Sequence, residues 1–113
     1  VVLPHGADAE ETESRALAAG LERALVPPRL PLAAMSAFLA RAHAVVGIDT
    51  GLTHLSAALG TPTLALFATT DPALAGTSIA GAHARDLGGR GVMPGIDEVR
   101  AGLGGILRAA PRC

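Results

Sequence analysis

An aspartate, a threonine, a glycine and a histidine crowd into the short stretch 49–54, as Asp49, Thr50, Gly51 and His54. They sit where an apolar run ends and a helical pattern begins. In the string VVGIDTGLTHLSAALGTP, residues 45–62, the apolar run closes at Ile48, while Leu52, Leu55, Ala58 and Leu59 recur at helical spacing. The spacing predicts strand, tight turn, helix. The first N–H groups of a helix have no intrahelical partner and lie at the positive end of its dipole, so such a junction suits an anion, phosphate above all. Thr50 would cap the helix or give its hydroxyl to a phosphate, and Gly51 would let the backbone approach a bulky anion with no Cβ in the way. The same residues also have a purely structural use, with Asp49 or Thr50 as an N-cap and His54 as a surface histidine.

The elements that must hold this junction are legible around it. Val45 to Ile48 reads as a parallel strand buried on both faces, and Thr63 to Phe67 as the next, which makes a βαβ unit with a right-handed crossover. Upstream, Val1 to Leu3 reads as a short buried strand broken at Pro4-His5-Gly6. Asp8 is then the N-cap of a helix that Gly20 stops. Ala24 to Val26 is a weak strand, and Pro27-Pro28-Arg29-Leu30-Pro31 holds the chain extended. Leu32 to Arg41 is a helix with an apolar stripe of Leu32, Met35, Phe38 and Leu39. Residues 76–95 read as a loop carrying a short strand. A closing helix over 96–109 follows, with Ile96, Val99, Leu103, Ile106 and Leu107 on one face, weakened by Gly102, Gly104 and Gly105. The fold expected is α/β, a Rossmann-like parallel sheet with helices on both faces. Loops at 4–8, 49–54 and 68–72 would converge at its carboxyl edge.

Composition narrows the classes. The 113 residues are half hydrophobic, enough for one core that buries roughly two thirds of the unfolded surface. No apolar run approaches the roughly 20 residues of a membrane helix. Nine basic against ten acidic residues leave a net charge of −1, and every basic residue is a scattered arginine. That pattern carries no nucleic-acid footprint. The one cysteine, Cys113, is terminal and makes neither a disulfide framework nor a buried nucleophile, as in a cytosolic protein. VVLPHG lacks the basic start and cleavage site of a signal peptide and reads as the second half of a strand. We therefore expect the chain to be a piece of a longer protein.

The string GIDTGLTHLSAALGTPTLALF, followed by TTDP at 69–72, closely resembles the signature of the ADP-heptose:lipopolysaccharide heptosyltransferases, glycosyltransferase family 9. The opening LPHGADAEE and the segment PRLPLAAMSAFLARAHAVVGID are similar to the same family in the same order. They are more like the first heptosyltransferase of inner-core assembly than the second. The resemblance runs from Leu3 to about Gly76 and fades in the last third. It implies the C-terminal, donor-binding half of a two-domain GT-B glycosyltransferase, with residues 1–113 forming one truncated nucleotide-sugar domain and the N-terminal acceptor domain absent.

What the resemblance implies about the site is specific. Glu10 would accept hydrogen bonds from the ribose hydroxyls, with Glu11 its rival if the register is off by one. The main chain at Leu30, where the family commonly has methionine, would line the adenine pocket. The N–H groups of Gly51 and Leu52 and the Thr50 hydroxyl would stabilise the diphosphate leaving group. Beside a diphosphate, Asp49 must cap the turn, coordinate a divalent ion or accept hydrogen bonds from sugar hydroxyls, and the family favours contact with the heptose. His54 would touch a phosphate or heptose oxygen, as a neutral donor, because the helix N-terminus disfavours its charged form. No cofactor is required, and a divalent ion remains an alternative role for Asp49.

No catalytic residue is assigned within the chain, since in the family the general base is an aspartate of the other domain. The partners implied are ADP-heptose and the lipopolysaccharide inner core, Kdo-lipid A, the latter mainly through the missing domain. The place of action is the cytoplasmic side of the inner membrane, touched peripherally by the full-length protein alone. Two other functions compete: a non-catalytic nucleotide-binding or interaction domain on the same scaffold, and a GT-B transferase that uses another nucleotide sugar.

Overall fold

A computed structural model describes residues 1–69, 71–77, 81 and 83–109. The chain forms two compact units, Val1–Met35 and Ser36–Cys113.

In the first unit, α1 spans Asp8–Ala19 and ends at Gly20, as the glycine predicts. Its N-cap is Ala7 and not Asp8; the first turn has no side-chain cap, and Asp8 is instead the first helical residue. The two expected strands shrink to one isolated parallel bridge between Val2 and Leu25. It is tied by Leu3 N–H to Leu25 C=O and Leu25 N–H to Val1 C=O, both 2.9 Å. The prolines that follow at 27, 28 and 31 remove the donors a longer ladder would need. Helix α2, Leu32–Ala40, begins in this unit and ends one residue before the expected Arg41. Only half of its stripe is core: Met35 and Leu39 are buried, whereas Leu32 and Phe38 are exposed.

The second unit is built on a parallel sheet of β1 (Val45–Ile48), β2 (Thr63–Phe67) and β3 (Ala84–Gly88), in that order. Val46 pairs with Leu64 and Leu64 with Arg85, and Phe67 with Gly88 closes the ladder. Residues paired in parallel register share a face, and faces alternate along each strand. Helix α3 (Gly51–Ala58) packs on the face of Gly47 and Thr63, where Ser56 Oγ meets Thr63 Oγ1 at 2.8 Å. Helix α5 (Ile96–Ala109) packs on the opposite face. A Cβ added to its Gly102 would stand 3.0 Å from Leu64 Cδ1 and 3.1 Å from Leu87 Cδ1, so the glycine lets helix and sheet close up. Leu64 and Ile106 on the α5 side, and Ala65 and Phe67 on the other, are the most deeply buried apolar residues described.

Two expectations need correction. Strand β1 is not covered on both faces, because α5 lies over β2 and β3 and leaves Val46 and Ile48 exposed, at 47% and 65%. On α5 itself, Ile96 and Leu107 fall outside the buried face that Ile106 centres. The region expected as a loop with a short strand does supply β3, and before it comes an unforeseen one-turn helix, α4 (Pro72–Ala75), with Asp71 as its N-cap. Among the described residues no helix is long and apolar enough to cross a membrane.

Candidate functional site at the start of α3

Strand β1 delivers its last residue, Ile48, to the carboxyl edge of the sheet, and Asp49-Thr50 carries the chain into α3. Gly47 makes this approach steep. A Cβ there would collide with Thr53 Oγ1, so the first turn of α3 lies directly on the strand and Thr53 is only 2% exposed. The far end of the helix closes in a Schellman motif. Gly60, at φ +84°, donates to Ala57 C=O at 3.1 Å, and Thr61 N–H donates to Ser56 C=O at 3.1 Å.

Thr50 is the N-cap, in extended conformation, but its side chain makes no capping hydrogen bond. Its Oγ1 lies 3.2 Å from Thr53 Oγ1 instead. Thr50, Gly51 and Leu52 face solvent while Thr53 turns inward. Gly51 has an ordinary negative φ, and a Cβ added to it meets no atom within 4 Å. Neither backbone conformation nor packing therefore asks for glycine at 51.

Asp49 and His54 come together. His54 Nε2 and Asp49 Oδ1 are 2.8 Å apart, with about a third of each side chain exposed, at 38% and 27%. An ionised carboxylate only accepts, so Nε2 is the donor in this pair. Because β2 runs parallel beside β1, the segment after Phe67 reaches the same edge, where Asp71 Oδ1 accepts from Ala73 N–H at 2.9 Å. Thr70, of the TTDP string, lies outside the described residues.

Glu10, Leu30 and the segment 4–8 belong to the first unit. Glu10 is exposed, and its Oε2 accepts from Gly6 N–H at 2.8 Å, closing the turn ahead of α1. Glu11 is committed elsewhere: its Oε1 takes both Nε and an NH2 group of Arg15, at 3.1 and 2.8 Å. The Arg15 hydrogen bond holds the Glu11 carboxyl below its ordinary range. Of the two rivals, Glu10 is the one not held by an arginine. Leu30 is half-buried in the extended proline segment. His5 Nε2 lies 2.9 Å from Pro27 C=O, an acceptor, which leaves buried Nδ1 without a partner among the described residues.

Thr53 is the residue that sequence reasoning passed over. A threonine at the third helical position, behind a threonine N-cap and six residues after a glycine in a strand, was the available signal. Among the described residues no group of three or more His, Cys, Asp or Glu side chains is placed to hold a metal ion.

A parallel, Rossmann-like sheet with a helix starting at its carboxyl edge defines the class of open α/β proteins, which place their ligands at that edge. Residues 1–85 match the model of glycosyltransferase family 9 (heptosyltransferase), and the chain belongs to that family. It is 55% identical over 76 residues to lipopolysaccharide heptosyltransferase 1 of Pseudomonas aeruginosa, a match covering 67% of this chain and 21% of that protein. It is 45% identical over the same length to the Salmonella typhimurium protein of that name, covering 67% and 24%. The solved structure of E. coli heptosyltransferase WaaC with ADP superposes with a TM-score of 0.73 at 38% identity, over 80% of this chain and 28% of that one. The chain thus spans between a fifth and a quarter of the length of the curated relatives it matches.

Proposed function

We propose that this chain is the donor-binding part of a GT-B heptosyltransferase that transfers heptose from ADP-heptose to the inner core of lipopolysaccharide. The observation that carries the proposal is the start of α3. Its N-cap hydroxyl caps none of the helix's backbone N–H groups, its first turn is open to solvent, and Gly51 is a glycine that the fold does not need. A phosphate approaching the Gly51 and Leu52 N–H groups explains all three. The relative solved with ADP is of the same family and fold.

In this reading the diphosphate leaving group is stabilised by preorganised donors, the N–H groups of Gly51 and Leu52 and the Thr50 hydroxyl. Asp49 has His54 as a fixed neighbour and accepts from heptose hydroxyls, while His54 holds a phosphate or heptose oxygen. Glu10 takes the ribose hydroxyls and the main chain at Leu30 borders adenine. No metal ion is needed for charge neutralisation, and Asp49 is where a divalent ion would enter. The general base and most of the acceptor site belong to polypeptide outside these 113 residues, which alone transfer no heptose. The reaction takes place at the cytoplasmic face of the inner membrane.

Calorimetric titration of ADP and UDP into the full-length protein, and into its Asp49→Ala, Thr50→Ala double variant, tests this. Preference for ADP, lost in the double variant, is expected. Equal affinity for the two nucleotides would point to another nucleotide sugar, and binding untouched by the double change would move the site away from α3.

A further inference from the structure

We propose that Thr53 is a positioning residue, acting through Thr50 on a phosphate group. The inference rests on the reading of the α3 start as the phosphate site. A threonine N-cap ordinarily accepts from the backbone of the second or third helical residue. Here the third residue is Thr53, and its side chain, not its backbone, meets Thr50 Oγ1, at 3.2 Å. Thr53 cannot swing away, because it is buried and its Oγ1 is seated against Gly47, where not even a Cβ would fit. Thr50, by contrast, is exposed and has rotamers to choose among.

The direction of the hydrogen bond follows from the ligand. Phosphate oxygens only accept, so a Thr50 hydroxyl serving one must donate to it. Its own lone pair is then free to accept from Thr53 O–H. The two hydroxyls form a relay, Thr53 to Thr50 to phosphate, in which each bond polarises the next. The fixed member selects the rotamer of the mobile one and keeps the N-cap oxygen off the first-turn N–H groups.

The test is calorimetric, with ADP and with adenosine, which lacks phosphate, in the full-length protein. Thr53→Val is expected to weaken ADP binding about threefold to tenfold, the range of one hydrogen bond, and to leave adenosine binding unchanged. Thr53→Ser, which keeps the hydroxyl, restores ADP affinity to within about twofold, and Thr53→Val adds no further loss in a Thr50→Val background. Should the valine fail to fold by circular dichroism, Thr53→Ala, which cannot crowd Gly47, takes its place in every comparison. Full ADP affinity in Thr53→Val, or an equal loss with and without the Thr50 hydroxyl, overturns the inference while leaving the phosphate site standing. If Thr50→Val and Gly51→Ala both bind ADP like the parent, the phosphate reading itself falls and Thr53 has nothing to position.

Discussion

Asp49 and His54, five residues apart, meet at 2.8 Å across the first turn of α3, so that a strand-end carboxylate and a helix imidazole form one unit. The pair joins the carboxyl edge of β1 to the first turn of α3. Both side chains are partly exposed, and the contribution of such a pair to stability stays below about 1 kcal/mol after solvent screening.

Asp49→Asn and His54→Ala should therefore each lower the unfolding free energy measured in urea by under about 1 kcal/mol. Donor affinity should fall about tenfold in each, with non-additive losses in the double variant. Additive losses would mean that the two side chains act separately on the ligand.

Two glycines four residues apart should behave in opposite ways. Gly47→Ala drives a Cβ into Thr53 Oγ1 and should cost about 1–3 kcal/mol in chemical denaturation, as overpacking does. Gly51→Ala meets nothing and should be neutral or gain up to about 1 kcal/mol of helix propensity, yet lose nucleotide affinity. A Gly51→Ala protein that is destabilised, or that binds ADP normally, contradicts the assignment of this glycine to a ligand.

Ser56 and Thr63, both fully buried, share two hydroxyl hydrogens among three contacts: Ser56 to Thr53 C=O at 2.8 Å, Thr63 to Thr61 C=O at 2.7 Å, and one another. Ser56→Ala should cost about 1 kcal/mol, since Thr63 keeps its carbonyl partner. Thermal unfolding of the single and double hydroxyl deletions would show coupling between them.

The Glu11 carboxyl is depressed by its hydrogen bond from Arg15. The stabilisation it supplies is thus present above the unfolded-state value and is lost as pH falls through the lower folded-state value. A carbon-detected titration should find Glu11 titrating below the ordinary glutamate range, and Arg15→Ala should return it to that range. An unshifted Glu11 in the parent protein would remove the Arg15 bond from the description of α1.

Legibility in the sequence was highest where one signal dominated. The β1, α3, β2 unit announces itself through VVGI and TLALF with helical spacing between them. Strand β3 does not, because its ARDLG carries two charged residues. The structure accounts for Asp86, whose carboxylate takes Thr77 N–H at 2.8 Å and Thr77 Oγ1 at 2.6 Å. A tertiary partner of that kind has no sequence pattern. Helix α4 is a single turn, too short for any periodicity. At the candidate site Thr50, Gly51 and Leu52 were readable from residue type. The Asp49 to His54 contact and the Thr50 to Thr53 contact were not, since both depend on how steeply α3 leaves β1, which Gly47 decides through space. Asp8 was misread as a cap because its type suits one; the closure instead comes from Glu10, reaching back to Gly6.

The two ends of α3 are held very differently. At its C-terminus the Schellman turn, the Ser56 to Thr63 contact and His83 Nε2 on Ala57 C=O at 2.8 Å clamp the helix to β2 and to the residue ahead of β3. At its N-terminus only Thr53 is sunk into the sheet, and the residues before it lie in solvent. A ligand arriving there meets a helix whose conformational entropy was surrendered during folding. Little of its interaction free energy would be diverted into ordering backbone, and affinity at this turn would be governed by which atoms the ligand presents.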